Sequence, residues 1–160
     1  MIAQCSEHTQ SMAELTLQIG LREANVAKLR WSQVDLNRKM ITIDAEEMKS
    51  GITIGIPLNA TVIKLIKKQQ GLHSVYVFCY QGRPVKKAST RSFRKALKRS
   101  GIADFRWHDL RHTWASWHVM NGTPLHVLQE LGGWASYDMV LRYAHLSAEH
   151  LRQYIKNTEK

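Results

Sequence analysis

No hydrophobic run in this chain approaches a membrane span, which needs about 20 predominantly apolar residues. It also lacks an opening basic, apolar, small-residue stretch of the secretory type. These two absences set aside a membrane-spanning role and lead us to expect a cytoplasmic protein. Cysteine is scarce: Cys5 and Cys79 are the only two, at no metal-type spacing. A disulfide framework is thereby excluded, and both thiols are expected to be free and reduced. Repeats and low-complexity tracts are absent. Negative charge is also in short supply: 13 acidic residues face 23 lysines and arginines, for a net charge of +10 and a sequence pI near 9.9. That imbalance favours a polyanionic partner, nucleic acid first and an anionic membrane surface second.

What remains is 160 residues, 44% of them hydrophobic, enough for one domain with a real core. Residues 1 to about 10 are polar without a clear period and read as a frayed start. Met12, Leu15 and Ile19 fall at helical spacing, and Gly20 stops that helix as a C′ glycine. A second helical pattern runs through Val26, Ala27 and Leu29. Met40–Ile43 and Ile52–Ile56 are β-branched runs flanking a polar link, read as an antiparallel hairpin with room for a third short strand. Asn59 caps a helix from Ala60 to about Gln70, with Lys64, Lys67 and Lys68 on its polar side. Val75–Phe78 is a short apolar run and Gln81–Pro84 a turn. Ser89 or Thr90 caps a helix carrying Arg91, Arg94, Lys95, Lys98 and Arg99. Its cationic face is a candidate for tracking a phosphate backbone through Arg91, Arg94, Lys95 and Lys98.

The stretch from Phe105 to Leu146 carries the chemistry. A helix from His108 to Asn121 buries Leu110, Trp114, Ala115 and Val119 and places His108 and Arg111 on one face. Gly122 ends it, Thr123 and Pro124 open the next, and Leu125, Val127 or Leu128, and Leu131 form that helix's core side. A Gly132-Gly133-Trp134 turn follows. Ser136 then caps a short helix through Met139, Val140 and Tyr143, and Ser147 a last one with Leu151 and Ile155. A guanidinium neutralises phosphate oxygens in bidentate fashion and a phenol can form a covalent intermediate. His108 and His112 also make an H-x-x-x-H pair, but Asp109 stands where a metalloprotease motif has glutamate, and no third ligand has diagnostic spacing. No metal is expected. His112, His118, His126 and His145 are read as structural or surface groups.

The elements His108-Asp109-Leu110-Arg111, Leu131-Gly132-Gly133-Trp134 and Tyr143, nine residues beyond the tryptophan, together resemble the C-terminal signature of the tyrosine recombinases, the phage-integrase family. Gly20, Leu21, Arg22, Asn25, Val26, Leu29, Trp31, Val34 and Asp35 resemble the same family's first-arginine box. Many members carry an acid where this chain has Asn25, whose amide oxygen would orient Arg22 more weakly. Glu23 is adjacent but faces elsewhere. Lys49, ahead of the Ile56-Pro57-Leu58 strand exit, matches the family's catalytic lysine, with Lys39 the alternative.

The resemblance implies an α+β, mainly α-helical integrase-type catalytic domain over residues 1–160, with a small antiparallel hairpin or three-stranded sheet on one side. It implies a DNA-clamping domain and a first catalytic-domain helix lying outside this chain. It further implies metal-free, cofactor-free cleavage and rejoining of double-stranded DNA, with Tyr143 as nucleophile and a 3′-phosphotyrosyl intermediate. Arg22, Arg111, His108 and Trp134 would stabilise the transition state, His108 could also take the phenolic proton, and Lys49 would protonate the leaving oxygen. Tyr137 and Tyr154 are the competing tyrosines. The intact protein is expected to act as a homotetramer in its synaptic complex, its tail packed on a neighbouring protomer, and the isolated domain to be monomeric and weakly binding. A decayed remnant that only binds DNA is the rival reading. A nicking and sealing domain of the type IB topoisomerase kind is a third.

Overall fold

The computed structural model describes residues 1–147 and residue 155. The expected last helix, from Ser147 through Leu151 to Ile155, and the competing Tyr154 lie outside the described residues or at their edge. In chain order the helices are α1 (Glu7–Ile19), α2 (Glu23–Ala27), α3 (Ala60–Lys67), α4 (Arg91–Arg99), α5 (Trp107–Met120), α6 (Leu125–Gly132) and α7 (Asp138–Leu141). The strands are β1 (Val34–Asp35), β2 (Met40–Ile43), β3 (Ile54–Pro57), β4 (Cys79–Tyr80) and β5 (Arg83–Pro84). The α+β, mainly helical architecture expected from the sequence is the one found.

The sheet follows the two-residue alternation of its side chains. β1, β2 and β3 pair antiparallel in that order, with Ile41 opposite Ile56 and Ile43 opposite Ile54. All four isoleucines are buried, while Thr42 and Gly55 between them face out. The third strand is the short β1, with Val34 paired to Ile41. The main core packs this inner face against α1, α2, α3, α4 and the start of α5. A second, smaller core of Trp114, Ala115, Val119, Leu128, Trp134, Val140 and Tyr143 lies toward the C-terminal end.

Several local readings are corrected. The start is not frayed: a 3-10 turn at Ile2–Gln4 leads into α1, which begins at Glu7. Thr9 is fully buried and its hydroxyl meets that of Thr90 at 3.2 Å. A polar sequence hid this because the buried groups satisfy one another across 81 residues. α3 ends at Lys67, three residues early. The apolar run Val75–Phe78 carries an isolated bridge from Tyr76 to Arg30, with main-chain bonds to Leu29 and Trp31 on either side. Arg83 and Pro84 form β5, leaving Gln81 and Gly82, both at positive φ, as the hairpin turn. Thr90, not Ser89, caps α4. Ser89 instead donates through N–H and hydroxyl to Glu23, tying α2 to the approach to α4. Thr123 does not cap α6; its hydroxyl pairs with His118 Nδ1 at 3.0 Å. Tyr143 lies not on a helix but in a turn between α7 and a 3-10 segment, Ala144–Ser147.

Gly20 fixes how α1 meets α5. It closes α1 in the left-handed region at φ 66°, as a C-terminal glycine should. A Cβ there would lie 2.2 Å from the indole of Trp114. Gly20→Ala is expected to cost about 3 kcal/mol, combining left-handed strain with overpacking. Gly82→Ala, at φ 72° with open space around it, is expected to cost only about 1 kcal/mol of backbone strain. Urea unfolding of the two variants checks the difference; equal midpoints would show that the Trp114 contact does not matter.

Candidate active site

The site begins with how α5 starts. The backbone N–H of Arg106 donates to Asp109 Oδ2 at 2.7 Å, and its guanidinium reaches the same carboxylate. This reciprocal cap sets the first turn. Asp109 is therefore the helix's capping acid. His108 projects from that first turn, and Arg111 and His112 follow three and four residues after it, each sharing its face.

Arg111 is 2% exposed. One Nη donates to the Gly20 carbonyl and the other to the Gly132 carbonyl, each at 2.6 Å. Its Cζ lies 4.2 Å from the centre of the Trp134 ring. Both carbonyls stand at helix C-termini, where acceptors are left over and the helix dipole is negative. Burial, and after it the charge of Arg22, lowers the Arg111 pKa to about 9, with Tyr143 acting in the opposite sense. The group is still cationic at neutral pH, held there against an electrostatic cost.

Arg22 stands at the N-cap of α2. Its charge acts on both Arg111 and His108, so the three side chains form one cluster. Burial lowers its pKa as well. Its Nη1 is buried and has no hydrogen-bond partner among the described residues, an unsatisfied cationic donor of a kind folded proteins rarely leave. Asn25 does not orient it. The Asn25 amide donates 3.0 Å to the main-chain carbonyl of Glu47, a correction to the sequence reading. Glu47 is further held by an ion pair to Arg30 at 3.0 Å and by the amide of Gln33. Asn25 thus steadies the β2–β3 link instead.

That link carries Lys49, exposed in a turn two residues beyond Glu47, and Lys49 has no ion pair among the described residues. It follows Met48, whose methyl packs where a Gly133 Cβ would be, at 2.6 Å. The link is therefore held against the Gly132-Gly133-Trp134 turn. Beside it, a cleft of about 480 Å³ runs between β3 and α6, with Ser50, Ile54, Gly133 and Trp134 in its walls.

Trp134 is 9% exposed. Its ring stacks on Trp114 at 6.0 Å and lies tilted to Tyr143 at 6.2 Å. A Cβ on Gly132 would fall 2.0 Å from it, so that position admits no side chain. Tyr143 is 5% exposed; burial raises its pKa, against the charges of Arg142 and Arg111. Its hydroxyl lies 2.5 Å from His112 Nδ1. Sequence reading missed this by leaving His112 as a structural group. The only hint was its place four residues after His108, on the same face. His108 stays solvent-accessible, with its ring edge-on to that of His112 at 4.7 Å. Partial burial, then His112 and Arg111, lowers the His108 pKa.

Arg22, His108, Arg111, Trp134 and Tyr143 are thus gathered in one place, together with His112. Tyr137 instead stands at the N-cap of α7, 45% exposed. The candidate phosphate-tracking residues Arg91, Arg94, Lys95 and Lys98 are all exposed on α4. Arg99, on the same helix, instead donates to the Gln4 carbonyl.

Comparison with known proteins gives this arrangement a context. The model of the phage integrase family matches residues 1–150. The integrase of Salmonella phage P22 is 44% identical, over 99% of this chain and 44% of that protein. The integrase of Escherichia phage 186 is 28% identical, over 98% of this chain and 44% of that protein. The chain thus spans less than half the length of these curated relatives. Among solved structures, the catalytic domain of bacteriophage HP1 integrase superposes with a TM-score of 0.73 at 25% identity, covering 98% of this chain and 88% of that one. The Tn1549 transposon integrase, solved in complex with transposon right end DNA, shares the fold with a TM-score of 0.75 at 19% identity, over 96% of this chain and 60% of that one. By its matched residues and its relatives, the chain belongs to the phage integrase family.

Proposed function

We propose that this chain is the catalytic domain of a tyrosine site-specific recombinase, which cuts and rejoins double-stranded DNA through Tyr143. The observation that carries the reading is the pairing of the buried Arg111 guanidinium with that of half-buried Arg22, whose buried Nη1 is unpartnered among the described residues, beside a buried phenol. Two like charges so close are costly unless an anion sits between them. A scissile phosphate is such an anion. Tyr143 Oη attacks phosphorus, the Oη–P bond forms as the bond to the 5′ oxygen breaks, and the DNA is held as a 3′-phosphotyrosine. A 5′ hydroxyl from another strand reverses the step.

Arg22 and Arg111 offset the charge that gathers on the nonbridging oxygens, an electrostatic role that dominates phosphoryl transfer. His108 and the Trp134 indole N–H add donors at the rim. Lys49, on a link packed against the Gly133 turn, gives a proton to the leaving 5′ oxygen. The exposed basic face of α4 and the net charge of +10 support duplex DNA as substrate, through sequence-independent phosphate contacts. So does the DNA-bound relative of the same fold. Exchange between two duplexes cuts four strands, which calls for four copies of Tyr143 and a tetramer of the intact protein.

Two measurements test this. With a nicked suicide duplex, the wild-type chain is expected to form a covalent adduct that Tyr143→Phe does not form, and Arg22→Gln is expected to slow it by about 10²- to 10³-fold. Binding without any adduct would leave a DNA-binding module. Separately, inorganic phosphate is expected to raise the wild-type melting temperature by binding the native state, with that rise reduced in Arg22→Gln. An equal rise in both proteins would mean that the unpartnered donor is not an anion site.

A further inference from the structure

We propose that His112, not His108, accepts the phenolic proton of Tyr143 as the tyrosine attacks phosphorus, receiving it at Nδ1. The proposal deepens the reading above and rests on Tyr143 being the nucleophile. It starts from the shortest polar contact the phenol makes: His112 Nδ1 stands 2.5 Å from Tyr143 Oη, within the reach a general base needs. His108 makes no hydrogen bond to Tyr143 among the described residues; its ring stands at 89° to that of His112, edge to face. It supports the plane of the accepting imidazole. The Tyr143 ring is tilted 45° to His112, with centroids 6.0 Å apart.

The chemistry requires such an acceptor. Tyr143 is almost fully buried, and its pKa is raised, so it does not ionise unaided near neutral pH. A neutral imidazole with its proton on Nε2 presents a lone pair at Nδ1. Burial above all keeps His112 below the ordinary histidine value, so it is neutral at pH 7. The charged groups facing it come from three segments: Asp109 and Arg111 on its own helix, Arg106 ahead of that helix, and Arg142 just beyond α7. Asp109 favours the imidazolium and the three arginines oppose it. His108 faces it as well. In the step, the Oη–H bond breaks and Nδ1–H forms while Oη–P forms and P–O5′ breaks. The leaving oxygen is protonated separately, so His112 keeps its proton until religation returns it to Oη.

The sign of the pH dependence follows. Protonated His112 cannot accept, so wild-type adduct formation falls with decreasing pH through a pKa below the ordinary 6.5 and is level at neutral pH. In His112→Gln the acceptor is gone. Its rate at pH 7 is expected to drop about 10²-fold, to lose the acid limb and to climb with pH as the phenol itself ionises. Added imidazole restores part of the rate to His112→Ala. DNA affinity is unchanged in both, and His108→Gln keeps the wild-type acid limb. Because a substitution here could disturb folding, ¹⁵N NMR of the wild-type free chain gives an independent reading. His112 Nδ1 is expected to be unprotonated at neutral pH, and Tyr143→Phe is expected to shift the His112 titration. A His112→Gln variant with the wild-type rate and profile, or a proton found on Nδ1, overturns this inference while leaving the nucleophile in place. Absence of adduct from the wild-type chain overturns the proposed function and this role with it.

Discussion

A single buried cation organises the site. Arg111 lies out of water, and an unpaired charge there would cost several kcal/mol. Among the described residues no carboxylate compensates it. Its charge is met by the main-chain carbonyls of Gly20 and Gly132, two acceptors that their own helices cannot use. The cation and the orphan carbonyls satisfy one another, and the negative ends of the α1 and α6 dipoles add to the effect. One side chain on α5 thereby pins the ends of two other helices.

The neighbouring residues follow from that clasp. For the carbonyls to come so close, both turns must be bare. Trp114 fills the space above Gly20, and Trp134 fills the space above Gly132. The two indoles then stack on each other, and the second lies over the guanidinium it helps enclose. On the far side, Gly133 lets Met48 and Ile54 press in, which brings the lysine-bearing link to the same turn. Arg22, two residues past Gly20, is drawn to the cluster by the chain itself. The carbonyls occupy the two Nη groups of Arg111, so the unsatisfied donor of the pair belongs to Arg22.

What could be read in the sequence was what short-range periodicity encodes. The isoleucine alternation of β2 and β3, the stop at Gly20, the shared face of His108 and Arg111 and the buried stripe of α5 each involve residues a few positions apart. The errors fall where a polar group's partner is remote. The resemblance pairs Asn25 with its near neighbour Arg22, but Asn25 bonds Glu47, 22 residues on. His112 meets Tyr143 across 31 residues, and locally only the face it shares with His108 sets it apart from a surface histidine. The opening residues looked frayed because they are polar, yet Ser6 and Thr9 pair with Ser92 and Thr90. Apolar spacing predicts Tyr143 on a helix, but that helix ends at Leu141 and the phenol sits in the turn beyond it.

The central claim is that the Arg111 clasp and the free Arg22 donor shape a seat for one phosphate next to Tyr143. A crystal structure of the chain with orthovanadate tests it most directly, since vanadate adopts the geometry of phosphoryl transfer and can bond to a phenol. The expected result is vanadium at Tyr143 Oη with an oxygen on Arg22 Nη1 and the two Arg111–carbonyl bonds intact. Vanadate bound elsewhere, or a Tyr143 hydroxyl that leaves the arginines to reach it, would contradict the account.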